Sequence, residues 1–86
     1  MDLQFTSKFK KQYKKLPKNI QNKFDERLTL LISGSEKDML RIHPLKGTYS
    51  GYWSMNVTGD IRAIYKLSVD ENIIIFALIG GHSELY

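Results

Sequence analysis

Two short breaks, Thr58-Gly59-Asp60 and Asp70-Glu71-Asn72, separate three runs rich in β-branched and aromatic residues: Gly51 to Val57, Ile61 to Val69 and Ile73 to Ile79. Three residues can turn a chain back on itself, whereas a parallel pair needs a crossover of a dozen or more. The C-terminal half is therefore expected to form an antiparallel three-strand meander. In the middle run Ile61, Ala63, Tyr65, Leu67 and Val69 share one face, and Arg62, Lys66 and Ser68 the other, the pattern of a half-buried strand. The last run is apolar on both faces, which places it inside the sheet. Trp53 and Tyr65 are read as core residues.

The N-terminal half follows a different period. Leu3 and Phe5 alternate as in a short strand, which is expected to pair beside the last run. Thr6 or Ser7 then supplies a hydroxyl to cap a helix, and Phe9, Tyr13 and Leu16 follow as one apolar stripe. Pro17 ends that helix and opens a second one. There Ile20, Phe24, Leu28 and Leu31 recur at helical spacing until Gly34 stops it. The expected architecture is α+β, in the order β-α-α-β-β-β, with a helical hairpin packed on one face of a small, mostly antiparallel sheet.

The chain has 86 residues, enough for a single domain over 1–86. A domain this small buries only roughly 60–65% of the surface its unfolded chain exposes, so most apolar residues are needed in the core. Without cysteine, a disulfide framework, Cys-ligated zinc and thiol catalysis are all excluded. The longest apolar run, Ile73 to Ile79, falls far short of the roughly 20 residues of a membrane span. The first residues, MDLQFTSKF, lack the basic start and apolar stretch of a signal peptide. The expectation is a soluble, cytoplasmic protein with no membrane partner.

Net charge is +4, and its excess is concentrated: seven lysines and no acid lie between Lys8 and Lys23. Such a field suits a polyanionic or acidic partner (nucleic acid, the ribosome, an acidic protein), or else a solvated helix face that maintains solubility.

Strand direction makes a geometric prediction. In an antiparallel meander the end of the first strand adjoins the start of the second, and the end of the third returns to the same edge. Asn56, Asp60, Arg62 and His82 should thus gather at one end of the sheet. His43 precedes the first strand and is expected at the opposite end. A seven-residue strand spans about 23 Å, and the eight residues from His43 to Ser50 reach about 26 Å when extended. Return to the site end is nearly taut, and spacing leaves His43 undecided.

The stretches His43-Pro44-Leu45-Lys46-Gly47, Gly51-Tyr52-Trp53, Gly59-Asp60-Ile61-Arg62-Ala63-Ile64-Tyr65 and Gly80-Gly81-His82-Ser83-Glu84-Leu85-Tyr86 resemble, in order and spacing, the RelE/ParE toxin superfamily and its YafQ-like branch. The resemblance covers essentially the whole chain. It implies the toxin of a type II toxin–antitoxin pair, an endoribonuclease that cleaves mRNA on the translating ribosome and is silenced by a cognate antitoxin. It matches His43, His82 and Asp60 to active-site positions, Arg62 to an arginine common in RelE-type toxins, and Tyr86 to a terminal aromatic. Asn56 departs from it, standing where the branch typically has a further catalytic histidine. An amide shuttles no proton near neutrality, so either the other histidines carry that work or activity is reduced.

The chemistry of RNA cleavage fits these residue types. The 2′-OH is a built-in nucleophile that needs a base, a cation on the phosphorane-like transition state, and an acid for the departing 5′-oxygen. An ordinary histidine pKa of about 6.5 suits the proton steps, and a planar guanidinium suits the phosphate. No cofactor or metal is required, and two histidines with one Asp make a poor metal site. His43 and His82 are the acid/base candidates and Arg62 the phosphate clamp, unless Arg62 is tied up in an ion pair with Asp60 or Glu84. Asp60 would orient a histidine or raise its basicity. Asn56, Lys46 and Tyr86 are read as substrate-binding, Tyr86 by stacking on a base. Lys11, Lys14, Lys15 and Lys18 would meet RNA backbone or the antitoxin. Two alternatives stand beside this reading. One is a non-enzymatic DNA gyrase inhibitor of the ParE kind, in which the histidines have no obvious place. The other, kept alive by Asn56, is a catalytically silent antitoxin-binding protein.

Overall fold

The structure, a computed structural model, describes residues 2–34, 40–70, 72–81 and Leu85. Strand β1 (Asp2–Phe5) leads into helix α1 (Ser7–Lys14), and Thr6 is its cap: its hydroxyl accepts the Phe9 N–H at 3.1 Å. Helix α2 (Lys18–Ser33) starts immediately after Pro17 and stops at Gly34, whose φ of 74° is left-handed. The two helices are stitched at their junction. Gln21 Nε2 donates to the Tyr13 and Leu16 carbonyls at 2.9 and 3.2 Å, and the Tyr13 carbonyl also accepts the Leu16 N–H at 3.1 Å.

Among the described residues, five strands form one sheet. After the hairpin come β2 (His43–Pro44), a 3₁₀ turn (Gly47–Tyr49), β3 (Trp53–Asn56), β4 (Ile61–Leu67) and β5 (Ile73–Gly81). The spatial order is β1-β5-β4-β3-β2, with β1 parallel to β5 and every other pair antiparallel. The last run is interior, and the first strand lies beside it. The short strand β2 was not foreseen. The first meander strand is shorter than Gly51–Val57 because Gly51, at φ 92°, belongs to the turn, and Tyr52 N–H is drawn to the Tyr49 carbonyl at 3.0 Å.

One irregularity decides which way β5 faces. Ile64 pairs with Leu78 but Tyr65 pairs with Phe76, so Ala77 is an extra residue opposite the Ile64/Tyr65 step. On the helix side of this bulge Ile79, Phe76 and Ile74 enter the core, while Leu78 faces the other way. Phe76 then meets Phe9 and Phe24 with ring centroids 5.7 and 5.3 Å apart, and Met55, Val57, Ala63 and Tyr65 complete this layer. Burying each large apolar side chain here contributes about 1.5–3 kcal/mol.

The bulge is clamped from α1. Thr6 donates its N–H to the Phe76 carbonyl at 3.0 Å and its hydroxyl to the Ala77 carbonyl at 2.9 Å. Gln12 Oε1 accepts the Ile79 N–H at 2.9 Å. Strand β1 pairs with β5 only as far as Phe76, and these side chains satisfy the edge beyond it.

The opposite face of the sheet is apolar too, which corrects the expectation of a polar outer face for β4. Ile64 is fully buried there with Leu78 and Leu85, and Leu45, Tyr49 and Tyr52 pack around them. Lys66 lies on this face with its ammonium 5.5 Å from the centre of the Tyr52 ring. Tyr65 is core, and burial raises its phenol pKa, but Trp53 is 36% exposed on β3 near the sheet edge. Val69 is fully exposed beyond the end of β4. The turn that follows is organised by Asp70, whose carboxylate accepts from the Ser68 hydroxyl at 2.7 Å and from Asn72 N–H at 3.2 Å. These bonds, the Ser68 hydroxyl first, hold its pKa below the ordinary value.

Two stability predictions follow from these contacts. Gln12→Ala strands the Ile79 N–H and should destabilise by about 1–3 kcal/mol in urea melts. Arg27 is buried on α2, and its Nε and Nη1 have no hydrogen-bond partner among the described residues. Arg27→Met should therefore stabilise the protein by about 1 kcal/mol or more, read as a higher urea midpoint at unchanged slope.

Candidate functional site

Three neighbouring strands place Asn56, Arg62 and Gly80 in one row. The row sits next to the β3–β4 turn, which Thr58 builds: its hydroxyl accepts Asp60 N–H at 3.3 Å and Ile61 N–H at 3.1 Å, while Val57 N–H bonds the Ile61 carbonyl at 2.9 Å. Arg62 reaches back over this turn. Its Nη1 donates to Asn56 Oδ1 and, at 3.4 Å, to the Thr58 carbonyl. Two neutral acceptors thus orient the guanidinium without neutralising it. Among the described residues neither Asp60 nor any other carboxylate pairs with Arg62; Glu84 lies outside them.

The expected one-ended cluster is present for Asn56, Asp60 and Arg62. Asp60 is exposed in the turn at that end, and its carboxylate bonds no histidine among the described residues. His82 and Tyr86 lie outside the described residues. The chain that flanks residues 82–84 is fixed nearby: Gly81 pairs with Ile61, and Leu85 is buried against Ile64 and Leu78 on the face that carries Arg62.

His43 is at neither of the places its sequence position suggested. It lies on β2 directly opposite Ser54, two residues along β3 from Asn56. Residues opposite each other, and residues two apart on a strand, share a face, so His43 shares its face with Asn56 and Arg62. The offset from Arg62 is about 7 Å along the strands and about 10 Å across two of them, roughly 12 Å between backbones. Two side chains can close on a phosphodiester across that gap. The taut return path was not needed because β3 has four residues rather than seven. The His43–Gly47 segment folds straight back on it as a hairpin, with Leu45 N–H on the Tyr52 carbonyl at 2.9 Å. The His43 ring is exposed, with Nδ1 3.2 Å from the Arg41 carbonyl oxygen.

Ser54, which sequence reasoning missed, is fully buried on this face, and its hydroxyl has no hydrogen-bond partner among the described residues. Its alternation with Asn56 was the available signal. Lys46 is exposed beside Leu45, which packs into the outer-face cluster. Lys11, Lys14, Lys15 and Lys18 are exposed on the helical hairpin, which covers the opposite face of the sheet from His43 and Arg62. Also on the hairpin side, α1, α2 and β1 enclose an open apolar groove of about 460 Å³ lined by Phe5, Tyr13 and Leu28 and rimmed by Lys10 and Asp25. There the Tyr13 hydroxyl donates to Asp25 at 3.0 Å; burial first, and then that carboxylate, raises the phenol pKa. No group of three metal-ligating side chains exists among the described residues, and none of their helices is long and apolar enough to cross a membrane.

The fold is shared with known toxins. The chain matches the crystal structure of YafQ from E. coli strain BL21(DE3) at 28% identity and a TM-score of 0.82, over 99% of this chain and 97% of that one. It matches YafQ in the E. coli DinJ–YafQ toxin–antitoxin complex at 29% identity and a TM-score of 0.80, over 99% and 96%. A YoeB/ParE toxin from Agrobacterium tumefaciens, 22% identical with a TM-score of 0.77 over 95% and 99%, shares the fold. A search of curated protein sequences found no match. The model of the family described as the bacterial toxin of type II toxin–antitoxin systems, YafQ, matches residues 1–86. With a fold, a strand order and a full-length family match in agreement, the chain belongs to the YafQ family of bacterial toxins of type II toxin–antitoxin systems.

Proposed function

We propose that this toxin is a metal-independent endoribonuclease that cleaves mRNA on the translating ribosome. The observation that carries the reading is the shared face: an un-neutralised Arg62, held by Asn56, and an exposed His43 stand on it with their backbones roughly 12 Å apart. In the reaction a histidine takes the 2′-OH proton as the 2′-oxygen bonds to phosphorus. The bond from phosphorus to the 5′-oxygen breaks, and that oxygen leaves with a proton from the second acid. His43 and His82 fill these two roles. Arg62 faces the charge that builds on the phosphoryl oxygens, where a fixed donor is worth roughly 10²–10³-fold.

Asn56 replaces a proton carrier with a positioning group. Its carbonyl oxygen holds one arm of the guanidinium, which leaves the rest of the fork for the phosphate. Asp60, at the same end, orients a histidine, and Tyr86 stacks on a base; Lys46 contacts substrate at the margin of the outer face. The hairpin lysines bind backbone phosphates of ribosomal RNA or an acidic surface of the antitoxin. A cognate antitoxin is the expected partner, as DinJ is in the complex with YafQ. The site is cytoplasmic because its substrate is.

On translating ribosomes programmed with a defined mRNA, His43→Ala should lower cleavage by about 10²–10⁴-fold. Arg62→Lys should lower it by roughly 10²-fold, since an ammonium lacks the planar fork that pairs with a phosphate. Asn56→Ala should cost about tenfold, with the loss in kcat. Inhibition of gyrase supercoiling with translation intact, or unimpaired cleavage by both His43→Ala and His82→Ala, contradicts the proposal.

A further inference from the structure

Arg41 is the one non-glycine residue with positive φ among the described residues, at 48°. For an L-residue this conformation is strained and persists only where its surroundings demand it. Asn and Asp offset the cost with short polar side chains, and arginine has none. The Arg41 side chain is exposed, so no buried contact of its own explains the strain.

The backbone does. It puts the Arg41 carbonyl oxygen 3.2 Å from His43 Nδ1. A carbonyl only accepts, so Nδ1 must carry the hydrogen, and in the neutral ring the lone pair is left on Nε2. Histidines free in water favour the reverse form. The other side of His43 is restrained as well: it precedes Pro44, which biases its backbone to the extended region, and its strand pairs with β3. His43 is thus restrained from both sides, on the face that carries Arg62.

We propose that Arg41 is a positioning residue: its left-handed backbone holds Nδ1–H of His43 and makes Nε2 the atom through which His43 exchanges protons with substrate. A neutral His43 receives a proton there and a protonated one returns it there, with Nδ1–H kept on the Arg41 carbonyl throughout. The identity of the substrate rests on the ribonuclease reading; the tautomer is a property of the protein alone.

The test reads both separately. In 15N-labelled protein carrying His82→Gln, which leaves His43 as the single histidine, two-bond 1H–15N spectra above the titration range should show the Nδ1–H form. Arg41→Val, whose branched side chain resists positive φ, should shift the ring toward Nε2–H and, in protein with His82 intact, lower kcat for mRNA cleavage roughly tenfold with little change in KM. Arg41→Gly, which takes positive φ freely, should keep the Nδ1–H form and cleave about tenfold faster than Arg41→Val. An Nε2–H ring in the unsubstituted Arg41 protein overturns the proposal, and that measurement stands even if Arg41→Val does not fold. So does a folded Arg41→Val that keeps Nδ1–H and matches Arg41→Gly in rate. An Nδ1–H ring in a protein that cleaves no ribosome-bound mRNA upholds the positioning and overturns the ribonuclease reading instead.

Discussion

Ala77 is one residue more than the β4–β5 ladder needs, and both layers of the protein depend on it. Strict alternation through Ile73–Ile79 would send Ala77, not Phe76, to the helix side. The extra residue shifts the phase, so Phe76 and Ile74 meet the hairpin while Leu78 and Ile64 build a second apolar cluster beneath the site face. Beyond the end of β1 the bulged part of β5 has no strand on that side, and each of its main-chain groups would cost about 1–3 kcal/mol if buried unpaired. Thr6 and Gln12 take them up. The residue that caps α1 also closes the end of β1 against β5, so the helix start and the sheet phase are set by the same side chain.

Much of this was legible in the amino-acid sequence because it is local. Thr6, Pro17 and Gly34 punctuate the helices, and their effect needs no distant partner. Three-residue breaks impose antiparallel strands, and antiparallel register brings Asn56, Asp60 and Arg62 together. What was not legible depends on partners. Two residues carry no period, so β2 has no signature, and the position of His43 follows from a hairpin closed by Leu45 and Tyr52. The bulge was hidden because Ile73–Ile79 is apolar on both faces, and a phase shift in such a run changes no visible pattern. Trp53 was misread for a related reason: β3 lies at the sheet edge, shielded only by a two-residue strand.

The sheet also separates two kinds of charge. On the hairpin the lysines are numerous and exposed, a diffuse positive field. On the other side Arg62 is held by Asn56 and Thr58, and Lys66 lies against the Tyr52 ring. The groove between α1 and α2 lies on the lysine side, across the sheet from the row at Arg62.

Strand β2 ends the sheet beside His43 with only two residues, one of them a proline. Proline offers no N–H, and two residues present too short a ladder for another chain to extend. Molecules approaching this flank are therefore met by side chains rather than by a hydrogen-bonding backbone. Crowded copies of the protein cannot zip together there, edge to edge. A brief, blunted rim keeps the approach to the site from sealing itself by self-association.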